Sequence, residues 1–206
     1  MTRRSKARNE ARPAERGSVR IVGGTLRGRK LAYHGDPRTR PMKDRVREAV
    51  FNLLGDVAGT LAVDLFAGTG VLGFEALSRG AWRSLFIEQH FPTADLIRHN
   101  AAELGVAEAC EIVAADTLVW FRRSGRLSDD GSRPWLVFCS PPYDLYISRR
   151  DDLLALIERL WASAPGHSRF VVEADERFDF SRLIEPTEWR LRAYPPAQVG
   201  VGVKAP

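Results

Sequence analysis

From Thr60 onward the apolar positions alternate between short solid runs and stretches at helical spacing. Leu61–Phe66, Arg83–Glu88, Cys110–Ala115, Trp135–Cys139 and His167–Ala174 read as strands, most of them apolar on both faces. Val71–Arg79, Pro92–Leu104, Asp116–Arg123 and Arg149–Ala162 read as helices. The last carries Leu153, Leu154, Leu156, Ile157 and Leu160, and Gly80 and Gly105 are stop signals for the first two. Ser124–Pro134 is a polar loop, and Glu188–Tyr194 and Gln198–Val203 read as two strands around Pro195-Pro196. Repeated β–α units predict a mostly parallel, seven-stranded α/β sheet with helices on both faces, closed by an antiparallel hairpin.

Upstream the pattern changes. Val46, Ala49, Val50, Leu53 and Leu54 give Met42–Leu54 an apolar face, leaving Lys43, Asp44, Arg45, Arg47 and Glu48 for solvent or a substrate. Val19 and Ile21 alternate with Arg20, and glycines follow, so Val19–Tyr33 reads as a small β-hairpin studded with Arg20, Arg27, Arg29 and Lys30. Such residues suit phosphate contact, although charge on an edge strand also serves to block aggregation. Residues 1–18 have almost nothing apolar to bury and are expected to be a disordered basic tail. The expected organisation is that tail, a hairpin and loop over 19–41, and one domain over 42–206.

Charge sharpens this division. Residues 1–50 hold fifteen Lys and Arg against five Asp and Glu, whereas the remainder holds sixteen against twenty-one. A basic front on an acidic body points to a polyanionic partner such as nucleic acid; a solvated tail is the plainer alternative. Two cysteines and four scattered histidines offer neither a disulfide framework nor zinc spacing. No apolar run approaches a membrane span, and the basic N-terminus lacks the apolar stretch of a secretory signal. A cytoplasmic protein acting as a monomer, away from membranes, is the expectation.

The candidate chemistry lies at the ends of the strands. The first ends in Asp64-Leu65-Phe66-Ala67-Gly68-Thr69-Gly70, where glycines allow a sharp turn and aim a helix N-terminus at a ligand. Gly68, Gly70 and Gly73 satisfy G-x-G-x-x-G, and Glu88, at the end of the second strand, stands where ribose hydroxyls are held. That pair fits a nicotinamide dinucleotide as well as S-adenosyl-L-methionine. Asp64 inside the turn and Asp116 after the third strand favour the latter, Asp116 as acceptor of an adenine amine; a helix N-cap is the commoner role for such an Asp. The fourth strand ends in Ser140-Pro141-Pro142-Tyr143, a stiff corner whose oxygens and aromatic ring could hold a flat exocyclic amine. Ser140 has no evident histidine partner, which disfavours a hydrolase.

Together Asp64–Gly70 and Ser140–Tyr143 resemble class I, Rossmann-like S-adenosylmethionine-dependent methyltransferases that act on amino groups. More narrowly, Arg20–Gly24, Leu26–Leu31, Thr39-Arg40-Pro41, Asp44–Glu48, Phe51-Asn52, Asp64–Gly70 and Leu72–Ala81 resemble the RsmD family, with Val171-Val172-Glu173 a weaker match beyond. The resemblance implies methylation of the N2 amine of a guanine in small-subunit ribosomal RNA, within assembling 30S particles or free. It implies cofactor contacts from Asp64, Phe66, Ala67, Gly68, Thr69, Gly70, Glu88, Gln89, Asp116 and Ser140, with Thr39, Arg40 and Pro41 closing over them. Ser140, Pro141, Pro142 and Tyr143 would hold the target base. Arg20, Arg27, Arg29, Lys30, Lys43, Arg45 and Arg47 would grip RNA. The family carries Asp or Asn before Pro-Pro where this chain has Ser140. A serine there is familiar in cytosine-N4 DNA methyltransferases, so an amino-methyltransferase acting on cytosine or adenine is an alternative. A catalytically weak RNA-binding factor of the same fold is another.

Overall fold

A computed structural model describes residues 17–34, 41–123, 127, 132–183 and 189–206. Residues 1–16 of the expected 1–18 tail, together with Thr39 and Arg40 of the covering loop, lie outside the described residues. The described chain opens on a two-stranded antiparallel sheet of β1 (Gly17–Arg20) and β2 (Lys30–Tyr33), with Val19 opposite Leu31. The hairpin thus starts at Gly17, two residues inside the stretch expected to be tail. Next comes α1 (Asp44–Leu54), whose N–H groups begin two residues later than the apolar periodicity suggested.

The main sheet takes β3 (Leu61–Asp64), β4 (Arg83–Glu88), β5 (Cys110–Ala114), β6 (Trp135–Cys139), β7 (Arg169–Asp175), β8 (Arg190–Tyr194) and β9 (Ala197–Val203). Their order is β5-β4-β3-β6-β7-β9-β8, parallel through β7 and antiparallel at β9 and β8. Helices α2 (Val71–Ser78), α3 (Phe91–Leu104), α4 (Thr117–Arg123) and α6 (Arg150–Ser163) connect the parallel strands, and a short α5 (Leu145–Ser148) precedes α6. The period-2 alternation of each strand feeds two cores. Ala62, Phe86, Leu136, Phe138 and Val171 meet α1, α2, α3 and the hairpin on one face. Val63, Ile87, Val137, Cys139 and Val172 meet α4 and α6 on the other. The strand order reverses between β3 and β6, and in such sheets the crevice outside the carboxyl ends at that point takes the ligand.

A buried charged cluster joins the hairpin to this domain. Arg47 is expected from its helical position to face RNA, but it is fully buried and pairs with fully buried Glu75 of α2 at 3.0 Å. Its guanidinium also donates to the Met42 carbonyl at 2.7 Å and to the Arg20 carbonyl. Glu75 in turn accepts the N–H groups of Val22 and Gly23 beyond β1, and Nε of Arg79 at 3.4 Å. Arg47 turns inward because buried Glu75, the Asp44 carboxylate at 3.0 Å and two backbone carbonyls surround its guanidinium there. It is structural, not an RNA contact. On the far side of the hairpin the Asn100 amide of α3 accepts from Ala32 N–H at 3.1 Å and donates to the Ala32 carbonyl at 2.9 Å.

Replacing Arg47 by Ala leaves the Glu75 carboxylate buried without its main cation, and a loss of about 3–5 kcal/mol is expected in urea unfolding. Exposed Arg45→Ala is expected to change stability by less than about 0.5 kcal/mol.

Candidate functional site

The glycine turn is stitched between two strand ends. Ala67 N–H donates to the Ile87 carbonyl at 3.0 Å, and Gly70 N–H to the Ala67 carbonyl at 2.7 Å. Gly68 and Gly70 adopt φ of 51° and 74°, the left-handed region that favours glycine. Gly70 caps α2, and at Gly73 a Cβ would lie 2.3 Å from the Phe86 ring, so the third glycine lets α2 press onto β4. The Glu88 carboxylate then holds the turn: one oxygen accepts Gly68 N–H at 2.8 Å and the other His90 N–H at 2.8 Å. Glu88 is half-buried and Gln89 beside it exposed.

Asp64 ends β3 beneath this turn, fully enclosed. Burial pushes its carboxyl up to about 7; Gly73 N–H, at 3.3 Å, opposes that and the nearby Glu88 charge adds to it. Thr69 is buried and Phe66 half-buried. At the end of β5, one Asp116 oxygen accepts Val119 N–H at 2.8 Å, the N-cap arrangement, while the other lies 3.7 Å from Arg149 Nη1.

The Ser140 corner stands next to the turn because β6 pairs with β3, Phe138 opposite Asp64, and Leu65 N–H donates to the Phe138 carbonyl at 3.0 Å. The Pro142 and Tyr143 carbonyls accept the first N–H groups of α5, at 2.9 and 3.1 Å. No described residue donates to the carbonyl of Pro141. The sequence reading passed over one side chain here. Glu173, on β7, accepts from the Tyr143 hydroxyl at 3.3 Å, and its carbonyl accepts from the Tyr146 hydroxyl at 3.0 Å. Burial pushes the Glu173 carboxyl above its usual range, against the Ser140 and Tyr143 hydroxyls, which hold it down. The available signal was the one used for Asp64, Glu88 and Asp116: an acid at the carboxyl end of a parallel strand.

The structure therefore gathers Asp64, Phe66–Gly70, Glu88 and Ser140–Tyr143 at the carboxyl ends of adjacent strands, with Asp116 after β5. The basic candidates lie apart from it. Arg20, Arg27, Arg29, Lys30, Lys43 and Arg45 are exposed on the hairpin and the start of α1. Arg20 pairs with Asp44 at 2.6 Å, and Arg29 donates to the Glu103 carbonyl at 2.6 Å. His34, after β2, meets the Pro92 carbonyl at 3.2 Å, which brings the hairpin's end to the first turn of α3, next to Glu88.

This strand order, with a glycine turn and acidic strand ends at the reversal, is that of a class I S-adenosylmethionine-dependent methyltransferase. A solved structure described as putative methyltransferase yhhF from Escherichia coli superposes with a TM-score of 0.74 at 28% identity, covering 92% of this chain and 99% of that one. An RNA methyltransferase from Salinibacter ruber, solved with S-adenosyl-L-homocysteine, shares the fold at a TM-score of 0.57 and 21% identity, covering 81% of this chain and 94% of that one. Residues 19–190 match the family described as conserved hypothetical protein 95. Ribosomal RNA small subunit methyltransferase D of Haemophilus influenzae is 32% identical over 183 residues, 87% of this chain and 89% of that protein. The chain belongs to this family, the RsmD family of S-adenosylmethionine-dependent ribosomal RNA methyltransferases. No helix among the described residues is long and apolar enough to cross a membrane.

Asp64 gives the fold a pH signature. Its folded pKa, about 7, exceeds the ordinary 3.8, so between those values the native state keeps a proton that the unfolded chain has lost. The stability this group contributes is complete below about pH 4 and disappears as pH rises through 7. Asp64→Asn removes that dependence. The difference in unfolding free energy between variant and parent is expected to grow in the variant's favour by roughly 4 kcal/mol from pH 4 to 8, as read by urea titration at each pH.

Proposed function

We propose that this chain methylates the exocyclic N2 amine of a guanine in small-subunit ribosomal RNA, free or within assembling 30S particles. The observation that carries the reading is the adjacency of the Glu88-held glycine turn and the Ser140-Pro141-Pro142-Tyr143 corner at the point where strand order reverses. Bound there, S-adenosyl-L-methionine supplies an electrophilic methyl group on a cationic sulfur. The residues present suit it: Gly68 to Gly70 bring backbone close to a ligand, Glu88 can take ribose hydroxyls in exchange for one of its backbone partners, and buried acids favour a cation. Asp116 has one oxygen outside its N-cap bond, 3.7 Å from Arg149, to offer an adenine amine. Thr39, Arg40 and Pro41 are assigned the cover by family resemblance.

The corner's part is to orient the target. The open Pro141 carbonyl and the Ser140 hydroxyl accept the amine hydrogens, which turns the nitrogen lone pair away from the base plane toward the methyl group. Tyr143 offers a ring for stacking. Positioning of this kind removes much of the entropic barrier to an in-line displacement. The base must be unpaired or flipped to enter. Arg27, Arg29, Lys30, Lys43 and Arg45 supply phosphate contacts that fix the RNA without reading it.

Two measurements test this. By calorimetry, S-adenosylhomocysteine is expected to bind and NAD not to; binding of NAD alone defeats the assignment. With labelled methyl donor, label is expected on guanine N2 of naked small-subunit RNA or assembling subunits. Label on DNA cytosine alone favours the cytosine-N4 reading that Ser140 keeps open, and RNA binding without transfer favours the assembly factor. Separately, replacing Arg27, Arg29 and Lys30 with Ala is expected to lower the slope of log affinity for RNA against log salt by about 2–3, with S-adenosylhomocysteine binding unchanged.

A further inference from the structure

Strand β7 lies beside β6 with Val172 opposite Cys139, so the next residue of each, Glu173 and Ser140, are neighbours at the carboxyl edge of the sheet. The Ser140 hydroxyl is buried and makes no hydrogen bond of normal geometry, yet it faces the Glu173 carboxylate closely enough to favour its charged form. That carboxylate accepts from Tyr143 of the same corner at 3.3 Å. Its backbone is pinned by the buried Tyr146 hydroxyl of α5. No described Lys or Arg forms an ion pair with it, although the nearby Asp175 has Arg177 at 2.5 Å. On the other side β9 opposes Glu173 with Val199, which carries no charge. A carboxylate with no counter-ion among the described residues thus lies beside the Ser140 hydroxyl, at the corner proposed to hold the amine.

We propose that Glu173 is the proton-accepting and positioning residue of the methyl transfer, acting through Ser140, and supplies a carboxylate from β7 where Ser140 replaces the family's Asp or Asn. The inference rests on the amine-methylation reading above. The hydroxyl hydrogen of Ser140 points to Glu173, which leaves its lone pairs to the amine N–H. As the amine nitrogen's lone pair forms the new C–N bond, the S–C bond breaks and its electron pair stays on sulfur. The nitrogen then holds one proton too many. That proton passes to Ser140 Oγ while the serine's own proton moves to the Glu173 carboxylate, leaving a neutral secondary amine, a neutral acid and a thioether. Glu173 returns the proton to water after the product leaves. Burial, which raises the Glu173 carboxyl above its ordinary range, makes it a better acceptor than an exposed glutamate.

The test uses the full chain, labelled S-adenosylmethionine and whichever small-subunit RNA substrate the parent protein methylates, followed in single turnover across pH. Glu173→Gln keeps the volume and an acceptor for Tyr143 but cannot take a proton. It is expected to slow transfer by about 100-fold, to abolish the acidic limb of the rate profile, and to leave RNA and S-adenosylhomocysteine affinities within about twofold. The double variant Ser140→Asp, Glu173→Gln returns a carboxylate to the corner and is expected to recover at least about tenfold of the loss. Parent-like rates and an unchanged acidic limb in Glu173→Gln overturn the proposal. So does a loss matched by weakened binding and not rescued by the double variant. Should Glu173→Gln not fold, Ser140→Ala breaks the relay from the other end, and persistence of the acidic limb in that variant overturns it. A parent protein that binds S-adenosylhomocysteine but transfers no methyl to any RNA overturns the function itself, and is told apart by the absence of a parent rate.

Discussion

A buried carboxylate, Glu75, has to be neutralised, and most of the protein's working geometry follows from how this is done. Its two oxygens receive Arg47 from α1, Arg79 from its own helix and two backbone N–H groups from the chain leaving β1. Three segments distant in sequence are thereby fixed on one group. An unmet charge at this depth would cost more than any of the individual contacts returns, so the arrangement is effectively all or none. The small hairpin has too few residues to fold alone, as two strands in water are marginal at best. Val19, Ile21 and Leu31 give it a share of the main core, and Glu75 fixes where that share is taken.

The same economy of position governs the site. β3, β4 and β6 end side by side, so a turn, an acid and a proline corner far apart in sequence become neighbours without any loop reaching across. Glu88 links two of these ends directly by accepting from the backbone of the turn and from its own strand's exit. Asp64 lies under them where charge is expensive, which ties the electrostatics of the crevice to the packing of the sheet.

Much of this was legible in the sequence, for identifiable reasons. Strands buried on both faces produce solid apolar runs, so β3, β4 and β6 are legible from their starts at Leu61, Arg83 and Trp135. Strand ends in a parallel sheet all point one way, which is why Asp64, Glu88 and Ser140 could be assigned to one crevice before any coordinates. Arg47 was not legible: on a helix whose opposite face is apolar, an arginine reads as solvent-facing, and its partner lies twenty-eight positions on, beside Phe74 in an apolar stretch. The four-residue α5 is too short to show a period. Asp116 suited both an N-cap and a ligand contact, and the structure shows the cap. Glu173 was not legible as a neighbour of Ser140, because that relation depends on β6 and β7 pairing, which local pattern does not encode.

Asn100 gives the hairpin a property of its own. Its side-chain amide takes both hydrogen bonds that a third strand would offer to Ala32, so a helix completes the small sheet and locks its register. A slip of one residue would shift the basic side chains by about 3.3 Å and turn Leu31 out of the core. With slippage blocked, the backbone that carries the hairpin's arginines keeps one position against α3. On the proposed reading the protein works as a calliper, selecting its nucleotide by how far that nucleotide lies from the gripped phosphates as well as by the shape of its base.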